Sequence, residues 1–417
     1  MSVLTKLHLN LCCESMDSDK SGARLLERAA ELVAIPSVSR NEDAIADYVY
    51  NCLDSWVQSL GDRAGQVELL RIDNNVVLRT TRETGMGVGG IRDDVGGHGG
   101  ERIILASHLD TVPPSEDWEV KVGDGTLEGL GAVDTKGSVA VMLELSLSSL
   151  NLPVNTTFIF YACEEIARDM NGLRKITASN PELLRGDVAI VGEPTAGIVE
   201  AGCQSTLTAR IDILGKRAHT ARPWMGRNAI HLAAQIVGRV AGYGENVVEI
   251  DGCTFREQLQ AVMINGGVAT NVVPDSASIV INHRAAPNRS REEIEEWLHR
   301  YLFSGIYDTQ VAKGTVESAE SMEGTGEPKS TIEILDYAPG AMPLLGENRW
   351  IKRLAELSPT HPRAKLGWTD VATFSEAGVP AVNFGPGDPE LAHTPYERVT
   401  ADELELAYSA LVKLMSG

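Results

Sequence analysis

Short apolar runs dominate the first half of this 417-residue chain and return near its end, at 76–78, 103–106, 158–162, 188–191 and 379–384. Each is bounded by polar residues, Gly or Pro, and stretches of helical periodicity such as 138–150 separate them. A strand that is apolar at every position has to be covered on both faces. The alternation therefore predicts an α/β fold, a mainly parallel sheet flanked by helices. Two helices precede it. One spans 21–35 and is closed by Pro36; the other runs to about Leu60, with Ser39 and Glu42 in capping-box spacing at its start.

The middle of the chain reads differently. Alternating strands at 207–214, 259–264, 277–283 and 331–337 surround amphipathic helices at 228–243 and 290–302. The order βαββαβ predicts an α+β unit, 204–338, inserted into a domain made of 1–203 and 339–417. Gly occupies eight of the sixteen positions 85–100, which reads as a surface insertion with a solvated His98. The polar stretch 315–330 reads as a long loop.

Charge narrows the function. Lys plus Arg is 37 against 58 Asp plus Glu, a net −21, which argues against nucleic acid or an anionic membrane as the main partner. No apolar run reaches the ~18 residues of a membrane span. The N-terminal stretch lacks a clean signal-peptide core, and the six cysteines include no CxxC pair. A reduced, cytoplasmic, soluble protein is expected.

The chemistry gathers where the apolar runs end. One leads into His108 and Asp110, the next into Cys163-Glu164-Glu165, another into Glu193, and the last into a Gly/Pro loop that carries His393. Asp134 stands in GLGAVDTKG, just before a helix. Open α/β sheets bind ligands at the carboxyl ends of their strands. Charged residues singly placed there are commonplace, but five convergent segments point to a metal centre. Imidazole and carboxylate suit zinc, and five donors exceed what one tetrahedral zinc takes. Asp110, two residues from His108 on an extended segment, can accept the free ring N–H. Glu164 and Glu165 point apart, so one can bind metal while the other reaches the attacking water.

The segments SHLDTVP, GAVDTKGS, ACEEI, GEPT, GKRAHTARPWMGRNAIH and LAHTP together resemble the di-zinc amidohydrolase and exopeptidase family over nearly the whole chain. The resemblance implies two zinc ions per chain, with cobalt or manganese as substitutes. It pairs His108 with Glu193 and Glu165 with His393, with Asp134 bridging, and it implies a cis peptide after Asp134. It gives Glu164 the role of general base and makes the insertion a lid and dimerisation domain. There His219 reaches the partner subunit's site in a homodimer, and Asn271 and Arg284 hold substrate; Thr369 is a further contact. The block from GCQSTLTAR to AIH most resembles the desuccinylase branch. That implies removal of succinate from N-succinyl-LL-2,6-diaminopimelate, a small-molecule N-acyl amino acid. A deacetylase or dipeptidase with the same centre is the alternative within the class, and a non-catalytic homologue the alternative outside it.

Weaker candidates have plainer readings. His231 reads as a packed or solvated helix residue, His299 and His361 as solvent-facing, and Cys163 lacks the paired histidine of a nucleophile. Asp370 in GWTDVATF reads either as a helix N-cap or as a residue behind the site.

Overall fold

The computed structural model describes residues 21–82, 100–115, 118–304 and 330–416. The insertion 85–99, the loop 315–329 and Cys12–Cys13 lie outside the described residues. The chain enters through α1 (Ser21–Val33) and α2 (Asp43–Ser59), then β1 (Val67–Ile72), β2 (Asn75–Thr80), β3 (Arg102–His108), β4 (Lys121–Gly123) and β5 (Thr126–Glu128). Next come α3 (Lys136–Ser148), β6 (Asn155–Tyr161), α4 (Gly172–Ser179), β7 (Val188–Val191) and β8 (Glu200–Ala201). The middle contains β9 (Ser205–Leu214), β10 (Ala218–His219), α5 (Ala229–Ala241), β11 (Asn246–Ile250), β12 (Cys253–Gly266), β13 (Val272–Val273), β14 (Ser276–Ala285), α6 (Arg291–Phe303) and β15 (Thr331–Ala338). The last stretch holds α7 (Arg349–Leu357), β16 (Arg363–Ala364), α8 (Val371–Glu376), β17 (Ala381–Asn383), β18 (Arg398–Thr400) and α9 (Ala401–Met415).

Eight strands form the larger sheet in the order β1-β2-β6-β3-β7-β17-β8-β16. Its centre is parallel, since β3 pairs in parallel with β6 and β7, and β17 with β7. Every residue of β3, β6 and β7 is buried, as continuous apolar runs require. Successive side chains point to opposite faces. Ile103 and Leu105 join a core with α1, α2, α3 and α9, while Ile104 and Ala106 join a second core with Leu173, Ile176 and Phe374. α3 packs against β3 on one side and against α1 and α9 on the other, so it is apolar nearly all round.

The second sheet is antiparallel, in the order β11-β12-β14-β9-β15, with α5 and α6 covering one face. Four of its strands follow the expected pattern. The fifth, β11, is half-exposed along its length (Asn-Val-Val-Glu-Ile) and carries no apolar run to announce it. β11 reaches only Cys253–Glu257 of β12, so the remainder of β12 has no strand on that side among the described residues.

The capping box expected at α2 does not form. Glu42 stands at the N-cap without a side-chain cap bond. Ser39 Oγ donates instead to Asp110 Oδ2 at 2.7 Å, and Glu42 Oε1 accepts from the Arg40 and Cys163 backbones at 2.8 and 3.2 Å. Both side chains are drawn to partners that sequence spacing does not reveal.

Candidate active site

Parallel strands put their carboxyl ends on one edge of the sheet, and the register aligns them: His108 lies opposite Tyr161, and Ala106 opposite Val191. His108, Glu164, Glu165 and Glu193 therefore emerge together. Asp134 arrives on the loop before α3, and His393 on the loop that follows β17. Donor atoms of His108, Asp134 and Glu165 all lie within 4.8 Å of one another. Asp134 offers one oxygen to each histidine, Oδ1 at 3.0 Å from His108 Nε2 and Oδ2 at 3.3 Å from His393 Nε2. His393 Nε2 also lies 2.9 Å from Glu165 Oε1. The peptide between Asp134 and Thr135 is cis.

The backbone around these donors is held by other carboxylates. Asp110 is fully buried and accepts from the Glu164 and Glu165 amides at 3.0 and 3.1 Å. The His108 ring meets both the backbone and the side chain of Asp110. The nearest acceptor to Nδ1 is the Asp110 backbone carbonyl at 3.0 Å, with the carboxylate at 3.4 Å. Glu397, four residues after His393, accepts from the Val133 and Asp134 amides. Nothing local in the sequence marks Glu397 or Glu42 as supports of the site, because the site backbone each one holds is 121 or more residues away.

Electrostatics of the cluster favour a cation. Burial pushes Glu164 well above the usual carboxyl range, with Glu193, Asp370 and Glu165 adding to it against His108. Burial and then Asp134 raise Glu193 to about 7. Burial would raise Asp134 too, but the two histidines hold it well below the usual range. Hydrogen bonds to Asp134 and Glu165 lift His393 to about 10. The pocket thus holds more carboxyl groups than can ionise together without added positive charge. Among the described residues Glu193 Oε1 is buried and has no hydrogen-bond partner. A split carboxylate at Asp134, an unpartnered oxygen at Glu193 and an imidazole–carboxylate donor set fit divalent metal.

Other expected residues lie apart. His219 sits on β10, exposed, and its Nδ1 accepts from the Ala221 amide at 3.0 Å. Asn271 is its neighbour, its carbonyl accepting from Thr220 N. Arg284 is on β14 and donates to Asn282 Oδ1 at 3.2 Å. Among the described residues no hydrogen bond or ion pair joins these three to the cluster. Thr369 is 3% exposed and its hydroxyl donates to Asn383 Oδ1 at 2.8 Å, so it does not face open space. Asp370 precedes α8 without capping it and instead accepts from Asn171 Nδ2 and Thr373 Oγ1 behind the site. Cys163 donates its thiol to Glu42, and burial raises it to about 11, which leaves no reactive thiolate. His231 and His361 are exposed, whereas His299 is half-buried against Phe303, with Nε2 turned inward.

Known proteins share this architecture. A family model described as peptidase family M20/M25/M40 matches residues 104–417. The putative succinyl-diaminopimelate desuccinylase DapE of Mycobacterium tuberculosis is 40% identical over 94% of this chain and 98% of its own length. The succinyl-diaminopimelate desuccinylase of Corynebacterium glutamicum is 37% identical, over 92% of this chain and 94% of its own. Among solved structures, aminopeptidase PepT from Bacillus cereus superposes with a TM-score of 0.69 at 21% identity, covering 95% of this chain and 98% of its own.

Proposed function

The chain belongs to peptidase family M20/M25/M40, and from that premise we propose that it is a metal-dependent amide hydrolase acting on N-succinyl-LL-2,6-diaminopimelate, releasing succinate and LL-2,6-diaminopimelate. One observation carries the chemistry: Asp134 turns one oxygen toward His108 and the other toward His393, the arrangement a carboxylate shared by two metals requires. The substrate rests on the two desuccinylases that match this chain almost end to end.

His108 with Glu193, and Glu165 with His393, would each hold one zinc ion, with Asp134 between them and cobalt or manganese as substitutes. Metal bound there would supply Lewis-acid polarisation of the amide carbonyl and acidify the attacking water. The chain's own residues do the rest. Glu164, kept protonatable by burial and neighbouring carboxylates, takes the proton of the water and passes it to the leaving amine. Asp110 fixes the turn that carries it, through the amides of both glutamates. His219 accepts a backbone N–H at Nδ1, so the neutral ring carries its proton on Nε2, available to the developing oxyanion. Asn271 and Arg284 bind the polar and carboxylate groups of the substrate.

We read 204–338 as a lid and dimerisation domain and 1–203 with 339–417 as the catalytic one. The edge of β12 left without a strand among the described residues exposes Val262, Met263 and Ile264 at 53, 63 and 56%. An apolar unpaired edge is suited to a second copy, and a two-fold homodimer is our reading. Cys163, Cys203 and Cys253 are free thiols, in keeping with a cytoplasmic enzyme. No helix among the described residues is long and apolar enough to cross a membrane.

The test is an assay of zinc-loaded protein against N-succinyl-diaminopimelate, N-acetylornithine and a few dipeptides, with metal content measured in parallel. Preferred turnover of the succinylated substrate is expected. Faster turnover of N-acetylornithine or a dipeptide would sink the substrate assignment but leave the metal chemistry standing.

A further inference from the structure

We propose that Glu397 is a positioning residue that sets the distance between two metal-bearing loops, one carrying Asp134 and the other His393; this rests on the metal-centre reading above. The residue is 3% exposed, and one carboxylate oxygen accepts from two successive amides, Val133 and Asp134, both at 3.0 Å. The second of these belongs to the residue whose carboxylate faces both histidines. Glu397 lies on the loop of His393, four residues downstream, and its own amide bonds to the Thr394 carbonyl at 3.3 Å.

The tie is built from more than one contact. The Glu397 carbonyl accepts from the Gly129 amide at 3.1 Å, and the next residues, in β18, pair with β5. Backbone pairing brings the loops together up to Gly129. From there to Asp134 the loop leaves the ladder, and the Glu397 side chain spans that gap. Among the described residues the other oxygen of Glu397 is buried without a hydrogen-bond partner. Two backbone amides need an acceptor at a fixed reach, and it is that reach, rather than the charge shared with buried Lys136, on which the clamp rests. Without the clamp, residues 129–134 keep their own turn and the Thr135 bond to the His108 carbonyl but lose the side-chain tie to the His393 loop, so Asp134 shifts relative to His393 and both metal positions loosen because both share that carboxylate.

Two variants separate position from charge. Glu397→Gln keeps the acceptor oxygen at the same reach without the charge; Glu397→Asp keeps the charge but draws the acceptor back by one methylene. Amide hydrogen exchange of the segment 129–135 in metal-free protein reads the clamp directly. Competition of zinc with a chromophoric chelator reads its consequence. Glu397→Gln should exchange and bind zinc within about threefold of wild type. Glu397→Asp should exchange about tenfold faster in that segment and bind zinc about tenfold more weakly, the range for residues behind metal ligands. The proposal is overturned by wild-type exchange and affinity in Glu397→Asp. It is equally overturned if Glu397→Gln is as impaired as Glu397→Asp, for then charge and not reach is what matters. Exchange is measured without metal, so a wild type that binds no zinc would count against the metal-centre reading and leave the clamp to be judged on exchange alone.

Discussion

Adjacent Glu164 and Glu165 divide their work by what each can reach. Glu165 meets His393 and lies in the donor cluster, whereas Glu164 has its amide anchored on Asp110 and its carboxyl kept well above the usual range by burial. Glu164→Ala should bind metal normally and lose about two or more orders of magnitude in kcat, since only proton transfer is removed. Glu165→Ala should lose metal as well. Equilibrium dialysis and kinetics on both variants check the division; normal metal content in both would refute it. A buried histidine gives a pH signature elsewhere. His283 donates to the Gln258 carbonyl and stacks on Trp297, with Tyr243, Glu257 and Arg289 around it, and burial lowers it below the usual 6.5. Above that value both folded and unfolded chains carry a neutral ring. As pH falls below it, the unfolded chain takes up a proton that the buried ring resists, so stability drops. Wild type should therefore lose more stability between pH 7.5 and 5.5 than His283→Phe, as read from urea midpoints. The ligand residues could be recognised from sequence because each ends an apolar run or opens a helix. Glu397, Glu42 and Ser39 could not, because their roles rest on contacts across 71 to 264 residues of chain.

At the scale of elements, the turn after β6 shows how closely strand ends are fitted. Gly172 donates to the Ala162 carbonyl at 2.7 Å, and Asn75 Oδ1 accepts from Ala162 N at 3.0 Å. A Cβ on Gly172 would lie 2.0 Å from Asn75 Oδ1 and 2.8 Å from the Ala162 carbonyl. Gly172→Ala should cost about 1–3 kcal/mol and displace the segment that carries Glu164 and Glu165. Gly238, inside α5 with nothing within 4 Å of an added Cβ, gives the opposite expectation. Gly238→Ala should stabilise by up to about 1 kcal/mol. Thermal melts of the pair measure both signs. Most strands and helices were readable from apolar periodicity, since burial on both faces leaves a plain signature. β11 escaped because it is half-exposed and mixes polar with apolar residues. The pattern at Ser39 and Glu42 misled because a local spacing rule says nothing of distant partners that compete for the same side chains.

At the scale of the whole molecule, β12 and His219 belong to one argument. If a second copy covers the exposed edge, His219 can serve the neighbouring site. Mixing inactive Glu164→Ala chains with inactive His219→Ala chains, under conditions that allow subunit exchange, should then restore activity in mixed dimers. Mixed dimers that form and stay inactive would exclude that role. One feature of the larger sheet also governs how such a chain comes into being. β17 lies between β7 and β8, pairing in parallel with the first and antiparallel with the second. Its residues 381–383 are translated long after 188–191 and 200–201, with the whole second sheet made in between. On the ribosome, β7 waits with an open edge for a partner still unsynthesised, and the parallel pairing that closes it is of the slow, long-range kind. A nascent chain stalled before Ala381 keeps that apolar edge and lacks His393, so the interval between the synthesis of β7 and that of β17 is when the protein is most exposed to association with its own unfinished copies.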